Sequence, residues 1–242
     1  MNRVDTPELL DSDACSPEDV QESLRDLGRM NRWFGGVATT QALIECVAHA
    51  TGLRKFSVLE VAAGTGEVSR VVQERLARRG ITLNIKLLDR AQSHLPEAGR
   101  VKPDVAEALR PPATWEKSSG AIAADALALP FRDSAFDLVS CNLFAHHLDP
   151  NALARFAREA LRVSRVAVLI NDLVRHPLHL ALVYSAFPLM RSAVSRVDGV
   201  ASVRRAYVPE EMREILSSGV GPARKIEILS HFLFRMGVTL WK

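Results

Sequence analysis

The chain has 242 residues, 48% of them hydrophobic, which is enough for one α/β domain with a full core. Lys and Arg exceed Asp and Glu by 31 to 28, and this basic excess is dispersed except for a mild cluster at Arg191, Arg196, Arg204 and Arg205, so the chain carries no nucleic-acid stripe with interleaved aromatics. The cysteines, Cys15, Cys46 and Cys141, are odd in number and far apart; they form neither a disulfide framework nor a zinc set, and read as reduced cytoplasmic thiols.

Residues 1 to about 15 are polar and read as a loose terminus without the apolar h-region of a signal peptide. Ser16-Pro17-Glu18-Asp19 then predicts a helix: a serine cap, proline in the first turn, and acids at the positive end of the dipole. Val20, Leu24, Leu27 and Met30 or Asn31 give it an apolar face. The Met30 to Gly36 segment ends it, and a second helix over about 39–50 stops at Gly52.

Core strands are expected near 56–62, 83–88, 120–124, 136–143 and 165–172, joined mostly by helices. The linker 91–119 is broken by Pro96, Pro103, Pro111 and Pro112. The apolar segment 177–190 contains His179, Ser185 and Pro188 and is too short to span a bilayer; it reads as a buried helix or as the wall of an apolar pocket. A helix capped around Pro209-Glu210-Glu211 follows, and 224–229 and 233–241 alternate as two closing strands.

The most informative stretch is Val58 to Ser69, V-L-E-V-A-A-G-T-G-E-V-S. An apolar strand carries one acid, Glu60, near its end. A small-residue turn follows, and then a helical pattern with Val68, Val71, Val72 and Leu76 on one face. Gly64 and Gly66 let the turn be sharp and let a ligand approach the backbone. The helix N-terminus offers unpaired N–H groups. Nicotinamide and flavin enzymes use a similar turn, but an acid just before the phosphates would repel them, and Ser69 only half satisfies their third small position. Glu60 suits a ligand that is cationic there.

This strand–turn–helix resembles motif I of the class I S-adenosylmethionine (SAM) methyltransferases, with Ala62 where the family usually has its first glycine. A methyl group is tolerable there if Ala62 keeps φ below zero. The likeness continues in order. Asp89, followed by Arg90, closes the second strand, where the family binds the ribose hydroxyls. Ala124-Asp125-Ala126, followed by Leu129-Pro130-Phe131, resembles the adenine-binding segment. Ser134 to Phe144 resembles the S-F-D-x-V fourth strand, ending at Asn142. The resemblance spans roughly 56–172 and is greatest to the small-molecule enzymes of ubiquinone and menaquinone biosynthesis.

The resemblance implies a Rossmann-like, doubly wound, seven-stranded sheet of order 3-2-1-4-5-7-6 with the last strand antiparallel. It divides the chain into an N-terminal helical extension or lid, 1–52, and a SAM-dependent domain, 53–242, with an acceptor-site insertion at about 174–208. The expected cofactor contacts are Glu60, Ala62, Gly64, Gly66, Asp89, Arg90, Asp125, Ala126 and Asn142.

In this architecture ligands sit at the carboxyl ends of the strands. Methyl transfer needs alignment and at most one base. His147 is the first candidate base, His146 the second and His176 the third; His146 and His147 could also be packed helix-start residues, and His176-Pro177 could simply end a strand. Trp33 and Phe34 are candidate lid residues, and Arg204 and Tyr207 candidate acceptor contacts; a core or solvated role is the plain alternative for each. Asn142-Leu143-Phe144-Ala145 is not the tetrad of amide N-methyltransferases, and Ser140 to Phe144 lacks the carboxylates of the magnesium-dependent type, so no metal site is expected.

The expected activity is therefore metal-independent SAM-dependent methylation of a small, mostly apolar acceptor. An aromatic, quinone-like or polyketide-like hydroxyl comes first and an activated ring carbon second. No nucleic-acid partner or transmembrane segment is expected, and a homodimer is compatible. The rival is a SAM-binding regulatory or scaffold protein without turnover; a nicotinamide or nucleotide-sugar enzyme is opposed by Glu60 and Asp125-Ala126.

Overall fold

A computed structural model describes residues 1–11, 15–90, 120–221 and 224–242. The proline-broken linker at 91–119 lies outside the described residues.

The strands are β1 (Lys55–Val61), β2 (Thr82–Asp89), β3 (Ala121–Ala123), β4 (Phe136–Asn142), β5 (Ser164–Leu173), β6 (Ile226–His231) and β7 (Arg235–Trp241). They form one sheet of order β3-β2-β1-β4-β5-β7-β6, with β7 antiparallel to both β5 and β6. This is the expected order. The helices are α1 (Pro17–Trp33), α2 (Gly36–Thr51), α3 (Glu67–Ala77), α4 (Pro150–Val163), α5 (Pro177–Ser185), α6 (Ala193–Arg205) and α7 (Pro209–Val220).

Both faces of the sheet are covered, so its central strands are apolar on both sides and alternate between two cores. Phe56 and Val58, with Leu138 and Leu169, face α2 and α3. Leu59 and Val61, with Val139, Val168 and Ile170, face α4 and α7, which contribute Leu153, Phe156, Met212 and Leu216. These covers hold β1 and β4 side by side, Val61 opposite Cys141, so their carboxyl ends open at one switch point.

Three expectations need correction. Residues 1–11 are not loose. Val4 N donates to Arg204 O at 3.1 Å, and the Leu9 and Leu10 amides donate to the Asp198 carboxylate at 2.7 and 3.1 Å. Arg3 lies over the Tyr207 ring, 4.5 Å from its centroid. Polar composition concealed a segment fixed by its own backbone.

The second correction concerns α1. Ser16 caps it as expected, accepting from Asp19 N at 3.1 Å. Yet its buried side is polar: Ser23, Asp26 and Asn31 are buried, while Leu27 is exposed. Ser23 shares a hydrogen bond with Ser195, Asp26 accepts from Ser192 N, and Asn31 accepts from Arg235. The apolar stripe of Val20, Leu24 and Leu27 lines a cleft instead.

The third concerns 177–190. It forms α5 and a short 3-10 turn, but neither fills a core nor lines that cleft; Leu178 and Leu182 are exposed and only His179 of α5 is buried.

Candidate functional site

A cleft of about 1060 Å³ opens at the carboxyl ends of β1, β2 and β4. One end is built by the β1–α3 turn. Glu60 is 4% exposed, and burial pushes its carboxyl up to about 7 despite hydrogen bonds to Ser140 and Ser69. Asp89 Oδ2 accepts from Gly64 N at 2.8 Å, tying the end of β2 to the turn. Gly66 caps α3 in the left-handed region, φ 69°, with no side-chain cap, so the first amides of α3 stay open to a ligand. A Cβ built on Gly64 meets nothing within 4 Å, because that side of the turn is open.

Ala62 does not keep φ negative: it sits at +52°, and Leu143, at the end of neighbouring β4, sits at +55°. The turn demands the conformation that glycine adopts freely, and alanine meets it with strain. Ala62→Gly should therefore stabilise the protein. Relief of the left-handed strain, about 1–2 kcal/mol, exceeds the added chain entropy of about 0.5–1 kcal/mol, for a net gain of about 0.5–1 kcal/mol in urea unfolding. A loss of stability would show that the turn is not strained.

Asp125, Ala126 and Asn142 also line this end, with Arg90 at its rim. Asp125 Oδ1 accepts from Leu127 N at 2.8 Å and so shapes its own loop. The nine expected cofactor contacts are split between this wall and the turn; Gly66, packed against Leu87, is absent from the cleft lining.

The other end holds two histidines. His146 is 1% exposed, with Nδ1 at 2.6 Å from Asp172 Oδ1 and its backbone N donating to Asp172 Oδ2 at 3.0 Å. Its Nε2 lies 3.2 Å from Glu8 Oε1, off the line of a good hydrogen bond, so charge carries that contact. Burial alone would lower the imidazole, but the charges and hydrogen bonds of Asp172 and Glu8 raise it to about 10. Its carboxylate partners thus favour the charged form, and an imidazolium has no lone pair to accept a proton, which sets the second candidate base behind His147.

His147 is partly exposed on the cleft wall. Its Nδ1 is 3.0 Å from Asp11 Oδ2, its Nε2 is 3.6 Å from Glu8 Oε1, and its ring stacks on Phe144. Phe144, Leu148, Leu10 and the stripe of α1 make this end largely apolar.

The remaining candidates lie elsewhere. His176 caps α5, accepting from Leu178 N at 3.1 Å, and stacks on Phe234. Tyr207 is buried and donates its hydroxyl to Leu148 O at 2.7 Å, while Arg204 is exposed. Trp33 is 55% exposed at the end of α1, and Phe34 caps that helix. None of these lines the cleft. Of the 174–208 insertion, Ser202 alone is in the lining, donating to Glu8 Oε1 at 2.7 Å.

Residues 59–167 match the family model of the methyltransferase domain. The chain thus carries a methyltransferase domain and is similar to SAM-dependent methyltransferases. A demethylmenaquinone methyltransferase of Renibacterium salmoninarum is 28% identical over 209 residues, covering 85% of this chain and 75% of that protein. Among solved structures, the plantazolicin methyltransferase BamL, complexed with a triazolic desmethylPZN analog and SAH, superposes with a TM-score of 0.65 at 11% identity, covering 93% of this chain and 91% of its own. An O-methyltransferase family 2 protein from Planctomyces limnophilus, complexed with apigenin, gives a TM-score of 0.56 at 16% identity and covers 96% of this chain and 63% of its own. These likenesses establish the fold.

Two acidic contributors to the cleft, Glu8 and Asp11, are not announced by the sequence. Glu8 and Asp11 stand about 135 residues from the histidines they meet, and nothing local announces them. Asp172 was visible as the acid closing β5, but only its pairing beside β4 brings it to His146. The stripe of α1 is apolar as its sequence predicts, and it faces the cleft.

Proposed function

We propose that this methyltransferase transfers the methyl group of SAM to a small, mostly apolar acceptor without the help of a metal ion. An aromatic, quinone-like or polyketide-like hydroxyl is the first choice and an activated ring carbon the second. The observation that carries the reading is the chemical polarity of the cleft. One end presents a buried carboxylate and an open glycine turn; the other presents a histidine among apolar walls.

The first end fits SAM. Glu60 is buried without a cation, which is why burial raises it, and the ammonium of an amino acid would relieve that cost. Asp89 and Arg90 are assigned to the ribose, Asp125 and Ala126 to the adenine, and Asn142 to the floor beside them. SAM, once bound, supplies a methyl group already activated on a sulfonium. The chain itself must then align the acceptor, exclude water and take a proton. Residues 1–52 are assigned to cover the cleft, through residues 8–11 and the stripe of α1. His147 is assigned as the base. The quinone-type relative and the apigenin complex of a similar fold support a phenolic acceptor.

The Glu60 assignment predicts a pH dependence. Its folded value is raised, from 4.5 to about 7, so the free protein loses stability as pH rises through that window. A bound ammonium favours the ionised form, so SAM affinity should rise with pH up to about 7, with close to one proton released per SAM at pH 6. Calorimetry in buffers of different ionisation enthalpy reads this directly. Glu60→Gln should melt higher than the wild type at pH 8 and bind SAM more weakly; binding that is independent of pH would remove the assignment.

The function itself is tested by turnover of SAM with a panel of phenols and quinols. Formation of S-adenosylhomocysteine with a methylated product supports it. Tight SAM binding with no turnover across the panel would favour a regulatory or scaffold role.

A further inference from the structure

Three carboxylates and two imidazoles alternate across the acceptor end of the cleft. Asp172 meets His146 at 2.6 Å, His146 meets Glu8 at 3.2 Å, Glu8 approaches His147 at 3.6 Å, and His147 meets Asp11 at 3.0 Å. Exposure rises along the row: the side chains of Asp172 and His146 are 2% exposed, Glu8 8%, His147 21% and Asp11 43%. Glu8 and Asp11 both come from the N-terminal segment: Glu8 precedes the 3-10 turn Leu9–Asp11 and Asp11 is its last residue, and the Asp198 carboxylate holds the turn by its Leu9 and Leu10 amides.

Each acid is constrained on more than one side. Burial would raise Asp11, but the hydrogen bonds and charges of His147 and Arg205 pull it down to about 2, so it is an anion at neutral pH. An anion accepts hydrogen bonds only, so the proton of a neutral His147 belongs on Nδ1, facing Asp11. Nε2 is then left as the acceptor. Glu8 is likewise held below its ordinary value, since His146 and His147 outweigh its burial, and its carboxylate lies beside the position that gains charge when Nε2 takes a proton.

We propose that Asp11 and Glu8 are positioning residues for His147. Asp11 fixes its tautomer and ring, Glu8 stabilises the imidazolium that forms, and the N-terminal turn is an integral part of the acceptor site. His146, held as a cation by Asp172, keeps Glu8 in place. This rests on the reading of His147 as the base, but the tautomer can be observed without any acceptor.

The test uses the full chain with bound S-adenosylhomocysteine and imidazole-labelled histidine. Nitrogen NMR should show His147 with its proton on Nδ1 and a bare Nε2. Asp11→Leu removes the acceptor that faces Nδ1 at 3.0 Å, so the preference for a proton on Nδ1 should be lost and the Nε2–H form should appear. With a phenol that turns over, Asp11→Leu should lower kcat by ~10²–10⁴-fold at nearly constant KM for SAM, and Asp11→Glu should recover most of the loss. A purely structural Asp11 would leave the tautomer unchanged in a folded Asp11→Leu protein, and that result would overturn the proposal. So would a wild-type His147 protonated on Nε2, or a transition metal co-purifying on Glu8, His146 and His147, because a metal would occupy the nitrogen that must stay open. If His147→Ala keeps full activity while the tautomer shift is seen, the base assignment fails and the positioning geometry stands, which keeps the two failures apart.

Discussion

His147→Ala should lower kcat by ~10²–10⁴-fold while SAM affinity stays within about twofold. The side chain lines the cleft and belongs to no core cluster, so its loss removes chemistry rather than packing. The wild-type rate should rise with pH and then level off. If alignment alone does the work, the variant should lose far less, and the acidic limb should follow the acceptor's own ionisation. The parallel substitution His146→Ala should act differently. It leaves Asp172 and Glu8 buried without their cation, so the protein should unfold at lower temperature, and the damage should appear in stability before it appears in kcat. Full activity in His147→Ala would move the reading to an acceptor that arrives already ionised.

Gly64→Val should weaken SAM binding by at least about a hundredfold, or ~2.7 kcal/mol, in a protein that still folds. An added Cβ at this position has nothing within 4 Å, so a branched side chain would stand in the cleft rather than in the core. The residue sits at φ 51°, which costs a β-branched side chain about 1–2 kcal/mol of stability but does not disrupt the sheet. Gly66 is the contrasting case. A Cβ there would lie 2.5 Å from Leu87 Cδ1, so Gly66→Val should harm folding and binding together. Calorimetry with SAM and circular dichroism on both variants separate the effects. Normal SAM binding by Gly64→Val would place the cofactor site elsewhere.

The order of the sheet was legible because strand and helix patterns alternate and the glycine turn marks the first crossover. The convergence of Glu60, Ala62, Gly64 and Asp89 on one cleft was legible for the same reason: they lie at strand ends, and strand ends converge in this architecture. The histidine end of the cleft was legible only in part. His146 and His147 follow β4 and could be named, but their different fates depend on Glu8, Asp11 and Asp172, which the fold alone brings near. Two acids, acting against burial, favour the charged form of one histidine, and no local pattern encodes that. Trp33, His176 and Tyr207 show the converse. Each has a residue type suited to a site, and each sits away from the cleft in a cap, a stack or a hydrogen bond.

The two-sided construction of α1 has a consequence for how this enzyme can change. Ser23, Asp26 and Asn31 fasten the helix through hydrogen bonds on its inward side, whereas Val20, Leu24 and Leu27 face the cleft and support no core. Anchoring and the shape of the cleft are thus carried by different residues of one helix. Replacing Leu24 or Leu27 with larger or smaller apolar residues would reshape the space offered to an acceptor at little cost to the fold. On the proposed reading, acceptor preference can then be redirected in the laboratory along a face that the stability of the fold does not constrain.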